Sequence, residues 1–140
     1  RMVQKQWHKT ALMAVFAESI DIAASPDDVW AVAGDVQNIS GWLPFIGESR
    51  TEGDYRHCET EAGPLRERIL VHDDEARRYE YTILEAPMEI EFIHATVQVT
   101  PTADGAHVEW STLVTPDELV DAFSPIYRAG LENMKRQLES

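Results

Sequence analysis

The sequence has 140 residues, of which 44% are hydrophobic and 26% charged, as is typical of a single soluble globular domain. Twenty-five acidic and twelve basic side chains give a formal net charge of -13, which argues against nucleic acid and anionic membrane surfaces as partners. Cys58 is the single cysteine. Because this excludes an internal disulfide and any multi-cysteine metal site, a reducing cytoplasm is the predicted compartment.

The first two predicted elements are a strand and a helix. Residues 14–23 alternate between apolar side chains such as Phe16 and Ile20 and polar ones, which is typical of a half-buried strand. Ser25 then offers a capping hydroxyl and Pro26 suits the first turn of a helix. We therefore expect a helix to begin directly after the first strand.

A strand-rich region follows. Residues 36–46 are apolar but broken by glycine and proline, which predicts one or two short helical turns. Beyond them, short turns rich in Gly, Pro and Asp separate segments of strand pattern. Such short links join antiparallel neighbours, so the sheet is predicted to be a meander. The predicted strands are residues 49–52, 55–61, 65–72, 77–84, 89–101 and 107–113.

The C-terminal region returns to helical periodicity. Apolar side chains from Leu119 to Leu138 recur at the spacing of one helix face. Pro125 interrupts this pattern, so we expect a short lead-in turn followed by a main helix over residues 124–138. The stripe Phe123, Tyr127, Leu131 and Met134 is predicted to pack across one face of the sheet.

Several local patterns, taken in order, resemble a known superfamily. They are residues 25–30 (SPDDVW), 42–44 (WLP), 66–69 (RERI), 79–81 (YEY), 86–88 (APM), 104–105 (DG) and 108–110 (VEW). The chain resembles the SRPBCC superfamily of START domains, plant pollen-allergen-like proteins, and bacterial polyketide cyclase/dehydrase and lipid-transport proteins. Within it, the patterns are most similar to the bacterial polyketide-cyclase-like branch.

The resemblance implies an α+β helix-grip fold. In this fold a curved antiparallel sheet wraps around a long C-terminal helix, two short helices follow the first strand, and an internal cavity lies between sheet and helix. The predicted domain covers residues 14–140. Residues 1–13 are interpreted as an N-terminal extension, either added to the natural sequence or loosely held.

Glu67 is the first candidate for acid/base chemistry. It shares strand parity with Leu65 and Ile69, whereas Arg66 and Arg68 have the opposite parity. If the apolar row faces the cavity, Glu67 faces it too, and burial without a partner would favour a proton-transferring role. Two alternatives are open: the row lies on the outer face, or Glu67 pairs with an arginine on a neighbouring strand.

Two histidines are further catalytic candidates. His57 shares parity with Glu59 on the preceding strand and could stand near Glu67 across the ladder, although a solvent-facing position is the commoner alternative. His94 follows Ile90 and Phe92 at alternate positions, so it is predicted to face inward, where a core histidine is the commoner interpretation. No pair of histidines or cysteines has zinc-ligand spacing. His8, His72 and His107 are predicted to be surface residues.

An aromatic and thioether lining is predicted for the cavity. Such residues are more often plain core than ligand site, and only the resemblance favours a hollow interior. An ordinary ligand cavity of ~300–1,000 Å³ is expected. The predicted lining residues are Trp42, Tyr81, Met88, Phe92, Trp110, Phe123, Tyr127 and Met134.

Three functions are consistent with the sequence. The favoured one is a carrier or binding protein for a hydrophobic small molecule, such as a polyketide-like, lipid or aromatic compound. The second is a polyketide cyclase/dehydratase with general acid/base residues in the cavity. The third is a regulatory or interaction domain with a vestigial cavity. No phosphate loop or nucleophile motif is present, no cofactor or metal is predicted, and the chain is expected to be a monomer or homodimer outside the membrane.

Overall fold

The computed structural model describes residues 12–140, so His8 and most of the proposed extension lie outside the described part. The helices are α1 (Pro26–Ala33), a 3₁₀ helix (Val36–Gly41) and α2 (Leu119–Glu139). The strands are β1 (Ala14–Ile22), β2 (Glu48–Glu52), β3 (Tyr55–Thr60), β4 (Gly63–Asp73), β5 (Arg78–Glu85), β6 (Phe92–Thr102) and β7 (Gly105–Thr115).

The seven strands form one curved antiparallel sheet in the order β1-β7-β6-β5-β4-β3-β2. From β2 to β7, each strand pairs with the next strand in the chain and a short connection joins the two, as in a meander. Strand β1 forms the other edge of the sheet and pairs with β7. Helix α2 lies across the inner face and packs on β1 and β7. The α+β helix-grip architecture predicted from the sequence is confirmed.

Local signals explain where α1 begins and ends. The Ser25 hydroxyl accepts a hydrogen bond from the Asp28 amide at 3.1 Å, and Pro26 occupies the first helical position, where its missing amide hydrogen costs nothing. At the other end, Gly34 leaves the helix where a Cβ would meet the Trp30 indole ring at about 2.4 Å. The helix therefore ends at the only residue type that fits beside that ring.

Helix α2 differs from the prediction at Pro125. The helix runs without a break from Leu119, so the expected lead-in turn before residue 124 is wrong. Proline costs ~3 kcal/mol or more inside a helix, but Pro125 lies on the exposed side. The predicted stripe of Phe123, Tyr127, Leu131 and Met134 is buried against the sheet, at 6% exposure or less, and apolar packing on both sides of Pro125 holds the helix together.

The core fills the space between sheet and helices. In β6 the inward row is Ile93, Ala95, Val97 and Val99, each at most 2% exposed, while the alternate residues lie on the outer face. Trp42, from the segment after the 3₁₀ helix, meets Trp110 of β7 edge to face with ring centroids 5.5 Å apart. Within residues 12–140, no helix is long and apolar enough to cross a membrane.

Candidate functional site

The inner face of β3 and β4 carries a buried ion pair. Glu67 and Arg56 are directly opposite each other in the β3–β4 ladder, so their side chains emerge on the same face. Arg56 Nε donates to Glu67 Oε1 at 2.6 Å, and the two side chains are 0% and 4% exposed. Glu67 thus faces inward, as its parity predicted, and it is paired with an arginine of the neighbouring strand.

Protein groups surround the Arg56 guanidinium. Nη1 donates to the Val36 carbonyl at 3.1 Å and to the Tyr79 hydroxyl at 3.4 Å. The guanidinium carbon lies 5.0 Å from the ring centre of Tyr81 and 5.5 Å from that of Tyr79, within cation–π range. Burial alone would lower the pKa of Arg56, but attraction to Glu67 and the tyrosines outweighs it and raises this pKa well above its ordinary value. Arg56 therefore stays charged.

Cys58 lies beside the ion pair on the same row of β3. Its Sγ is 3.9 Å from Glu67 Oε1, within the range of a weak thiol hydrogen bond. Burial, followed by repulsion from the Glu67 carboxylate, raises the pKa of the Cys58 thiol to about 12. Because the thiolate is the reactive form, Cys58 is an unreactive core residue.

Aromatic side chains from β5, β7 and α2 form the opposite wall. The Trp110 indole and the Tyr127 ring stack in parallel at 3.6 Å between centroids. Trp110 Nε1 donates to the Tyr81 hydroxyl at 3.1 Å, and the Thr112 and Tyr127 hydroxyls are 2.7 Å apart. Burial raises the pKa of both tyrosines. They therefore remain neutral and act as hydrogen-bonding groups.

A small pocket is bordered by Glu67 on one side and by this aromatic wall on the other. Its volume is about 40 Å³, which holds a water molecule or two, since each occupies ~30 Å³ in the liquid. The expected cavity of ~300–1,000 Å³ is therefore absent between sheet and helix in the described residues. The lining residues are Ile39, Leu43, Phe45, Ile46, Leu65, Glu67, Tyr81, Trp110, Phe123, Ile126 and Tyr127.

The predicted lining residues divide into two groups. Tyr81, Trp110, Phe123 and Tyr127 border the pocket together with Glu67. Four others do not border it: Trp42 and Met134 are fully packed core residues, Met88 is half-buried in the β5–β6 connection, and Phe92 is 45% exposed on the outer face.

The two candidate catalytic histidines, His57 and His94, lie on the outer face. His57 faces away because the inward row of β3 is Arg56 and Cys58; its Nε2 is 3.8 Å from a Glu52 oxygen at the surface. His94 also faces outward, because the inward row of β6 begins at Ile93, and its Nε2 contacts Glu80 Oε1 at 2.8 Å. His57 thus occupies the solvent-facing position that was the commoner alternative, whereas the predicted inward placement of His94 is wrong. Neither histidine supports acid/base work beside Glu67.

The residue that sequence reasoning missed is Arg56. A signal for it is present in the β3–β4 hairpin: if Thr60 and Gly63 close the turn, antiparallel counting places Arg56 opposite Glu67, as observed. A carboxylate in an inward row needs a cation or donors nearby, and Arg56 is the residue that this counting selects.

The site's chemistry is limited to binding groups and one carboxylate. The Glu67 carboxylate accepts hydrogen bonds from Arg56 Nε and, weakly, from the Cys58 thiol. The tyrosine and tryptophan side chains offer flat apolar surfaces and hydroxyl or indole hydrogen-bonding groups. In residues 12–140, no cluster of three or more His, Cys, Asp or Glu side chains is arranged to hold a metal ion.

Comparisons with known proteins agree with this architecture. The protein XoxI from Bacillus cereus is 32% identical, with a TM-score of 0.84, over 89% of this chain and 95% of its own. The Zhui aromatase/cyclase from a Streptomyces species is 16% identical, with a TM-score of 0.77, over 91% of this chain and 94% of its own.

Norcoclaurine synthase from Thalictrum flavum shares 18% identity and a TM-score of 0.69, over 91% of this chain and 87% of its own. At such identities the likeness of the last two proteins concerns the fold alone. None of the curated proteins matches the chain.

The family model described as "Polyketide cyclase / dehydrase and lipid transport" matches residues 13–139, nearly all of the chain. The motifs that resemble the SRPBCC superfamily, the helix-grip architecture and this match agree. The chain belongs to the polyketide cyclase/dehydrase and lipid transport family of the SRPBCC superfamily.

Proposed function

We propose that the protein binds a hydrophobic small molecule between the sheet and α2, as a carrier or binding protein. The observation that carries this proposal is the lining of the inner pocket, in which ten apolar or aromatic side chains surround one buried carboxylate. Ligand sites in proteins commonly combine such an apolar wall with a few polar anchors. The family's description, which includes lipid transport, is consistent with it.

A ligand larger than water requires the pocket to open, and the segment around Phe45 is the place where this can happen. Phe45 is half-buried and borders both the inner pocket and an open groove of about 930 Å³ outside it. The segment is held at both ends: Asn133 donates to the Trp42 carbonyl at 3.0 Å, and the Gly47 amide donates to the Glu59 carbonyl at 2.8 Å. Outward rotation of Phe45 would join groove and pocket.

Binding is favoured over catalysis because the neutral groups near Glu67 are poor proton donors. Glu67 shares a hydrogen bond with a permanently charged guanidinium, and burial raises the pKa of Cys58, Tyr81 and Tyr127. A cyclase needs a base and an acid placed on one substrate. The same family description also names cyclase and dehydrase activities, so turnover of a polyketide-like substrate is the alternative outcome.

Native mass spectrometry of the freshly purified chain tests the proposal. We expect an added mass from a retained small molecule, or saturable binding of the neutral apolar dye Nile red. The variant Ile126→Trp, which fills the pocket from α2, should abolish both. The matched control Leu138→Trp changes a half-buried α2 residue away from the pocket and should leave binding intact.

Two results would overturn the proposal. If neither retained mass nor Nile red binding is found, the domain has no ligand site and an interaction role leads. If Ile126→Trp and Leu138→Trp affect binding equally, the dye binds elsewhere.

A further inference from the structure

We infer that the ligand carries a hydroxyl or amine group that donates a hydrogen bond to Glu67, and that carboxylates are excluded. This inference rests on the proposed binding function and narrows its ligand class. It separates two kinds of hydrophobic molecule that the apolar lining alone would accept equally: alcohols, phenols and amines on one side, and fatty or aromatic acids on the other.

The first observation concerns the unused oxygen of Glu67. Oε1 takes the bonds from Arg56 and Cys58, whereas Oε2 accepts none from the described residues. Oε2 is also not one of the fully enclosed polar atoms without a partner in residues 12–140, which are Arg56 Nη2 and Thr115 Oγ1. Since the 97%-buried Glu67 borders the pocket, Oε2 is the acceptor that a bound molecule can reach.

A buried carboxylate oxygen without a donor is costly. A hydrogen bond to a charged group is stronger than one between neutral groups. A buried charged group that lacks such a bond bears its full desolvation penalty. A ligand hydroxyl or amine would meet that need, but an ionised carboxylate would place two negative oxygens side by side in a medium of low dielectric constant.

Arg56 does not offer a competing site for an anion. Its Nη2 lacks a hydrogen-bond partner in the described part of the chain, but this atom is enclosed and Arg56 is not a lining residue of the pocket. The tyrosine rings at 5.0 and 5.5 Å lie against the guanidinium, so its free donors are covered by aromatic faces. The pair as a whole presents its acceptor, not its donor, to the pocket.

The second observation is the charge of the outer groove. Glu48, Glu59 and Glu61 line the groove on the solvent side of Phe45, and no lysine or arginine among residues 12–140 lines it with them. Together with the formal charge of -13, this rim repels anions before they reach Phe45 and attracts cations. Groove and pocket therefore both disfavour anionic ligands.

A matched set of naphthalene probes tests the inference. The four compounds share one ring system and differ in one group: 1-methylnaphthalene, 1-naphthalenemethanol, 1-naphthalenemethylamine and 1-naphthoate. By calorimetry with the full chain at neutral pH, we expect the alcohol and the amine to bind roughly tenfold or more tighter than methylnaphthalene. We expect naphthoate to bind more weakly than methylnaphthalene.

Two sets of variants locate the preference. Removing one partner of the ion pair would leave the other as an unpaired buried charge, so the pocket variant is the double change Arg56→Met with Glu67→Leu. This variant should still bind methylnaphthalene but should lose the preference for the alcohol. The rim variant changes Glu48, Glu59 and Glu61 to glutamine, and it should weaken binding of the cationic amine while leaving binding of the neutral alcohol unchanged. Its matched control changes the exposed Glu75, Asp104 and Glu109 to amides and should have no effect.

The outcomes separate this inference from the proposed function. If no probe binds, the binding function itself fails. If methylnaphthalene binds but naphthoate binds as well as the alcohol, or if the double variant keeps the preference for the alcohol, the binding function stands and the assignment of Glu67 as an anchor is overturned.

Discussion

The two faces of the sheet carry similar chemistry under opposite conditions. On the inner face, Arg56 and Glu67 form an ion pair that is almost wholly enclosed, at 0% and 4% exposure. On the outer face, Glu80 bonds Arg78 at 2.6 Å and His94 at 2.8 Å while these two partners are 46% and 37% exposed. The distances within the two pairs are alike, so any difference in how strongly they stabilise the fold must come from their different exposure to solvent.

The comparison shows that solvent access, rather than contact distance, sets what a charged pair does. A buried pair gives up hydration that its mutual attraction barely replaces, so removing one partner strands a charge. An exposed pair keeps most of its hydration and contributes little to the free energy of unfolding. Only the inner pair can therefore act as a polar anchor in an apolar site, whereas the outer pair is a solvent-exposed surface contact.

The largest expected effect follows from removing one charge of the inner pair. Glu67→Gln should lower the free energy of unfolding by about 3–5 kcal/mol, because the buried Arg56 charge would remain without its carboxylate. Urea denaturation at neutral pH measures this. The double variant Arg56→Met with Glu67→Leu should be clearly less destabilised than the single one. If the single variant is as stable as the parent chain, the pair is not the buried contact described here.

Cys58 gives the second test of the contrast between faces. Since its pKa is raised to about 12 from an ordinary 9.0, its thiolate fraction near neutral pH should be about a thousandfold smaller than that of a free thiol. Iodoacetamide should therefore label the native chain only after unfolding. Cys58 is the single cysteine, so the mass that the label adds, measured by mass spectrometry, reports on this residue alone.

A matched variant moves the thiol by one residue. In Cys58→Ala with His57→Cys, the new thiol lies on the outer face of β3, where His57 is half-buried, and it should react rapidly in the native chain. Equal labelling rates at positions 57 and 58 would contradict the assignment of these two residues to opposite faces.

The sequence predicted the architecture because most elements have one unambiguous apolar row. Strand β1 and helix α2 repeat at periods of two and about 3.6, and both packed as expected. Glu67 also faced inward as its neighbours Leu65 and Ile69 indicated. The family resemblance added the helix-grip arrangement, which local periodicity alone does not specify.

The misses have two physical causes. In β3 neither row is apolar, since the inward side holds Arg56 and Cys58; pairing with Glu67, rather than hydrophobicity, decides the direction. For His94 the pattern was taken from residues 90–94, but β6 begins only at Phe92, and the alternation of Val97 and Val99 further along sets the opposite phase. Parity is reliable only when it is counted inside one strand.

The size of the pocket could not be predicted from the sequence at all. Bulky side chains such as Trp110 and Tyr127 are equally compatible with a wide cavity and with a filled core, and here they stack at 3.6 Å. Their distance depends on how two distant elements meet, which is a property of the packed chain.

The smallest expected effect belongs to the outer face. The hydrogen bond from His94, with help from Arg78, lowers the pKa of Glu80 below its ordinary value of 4.5. A carboxyl group with a lowered native pKa contributes stability above its unfolded pKa and loses it as the pH falls through the native pKa. His94→Thr should therefore cost within about 1 kcal/mol at neutral pH, and the difference from the parent chain should vanish in acid. A matched surface pair, His107 with Asp21 at 2.7 Å, should respond as weakly to His107→Thr. Urea denaturation across this pH range measures both; a loss at neutral pH as large as that of Glu67→Gln would mean that the two faces of the sheet do not differ as described.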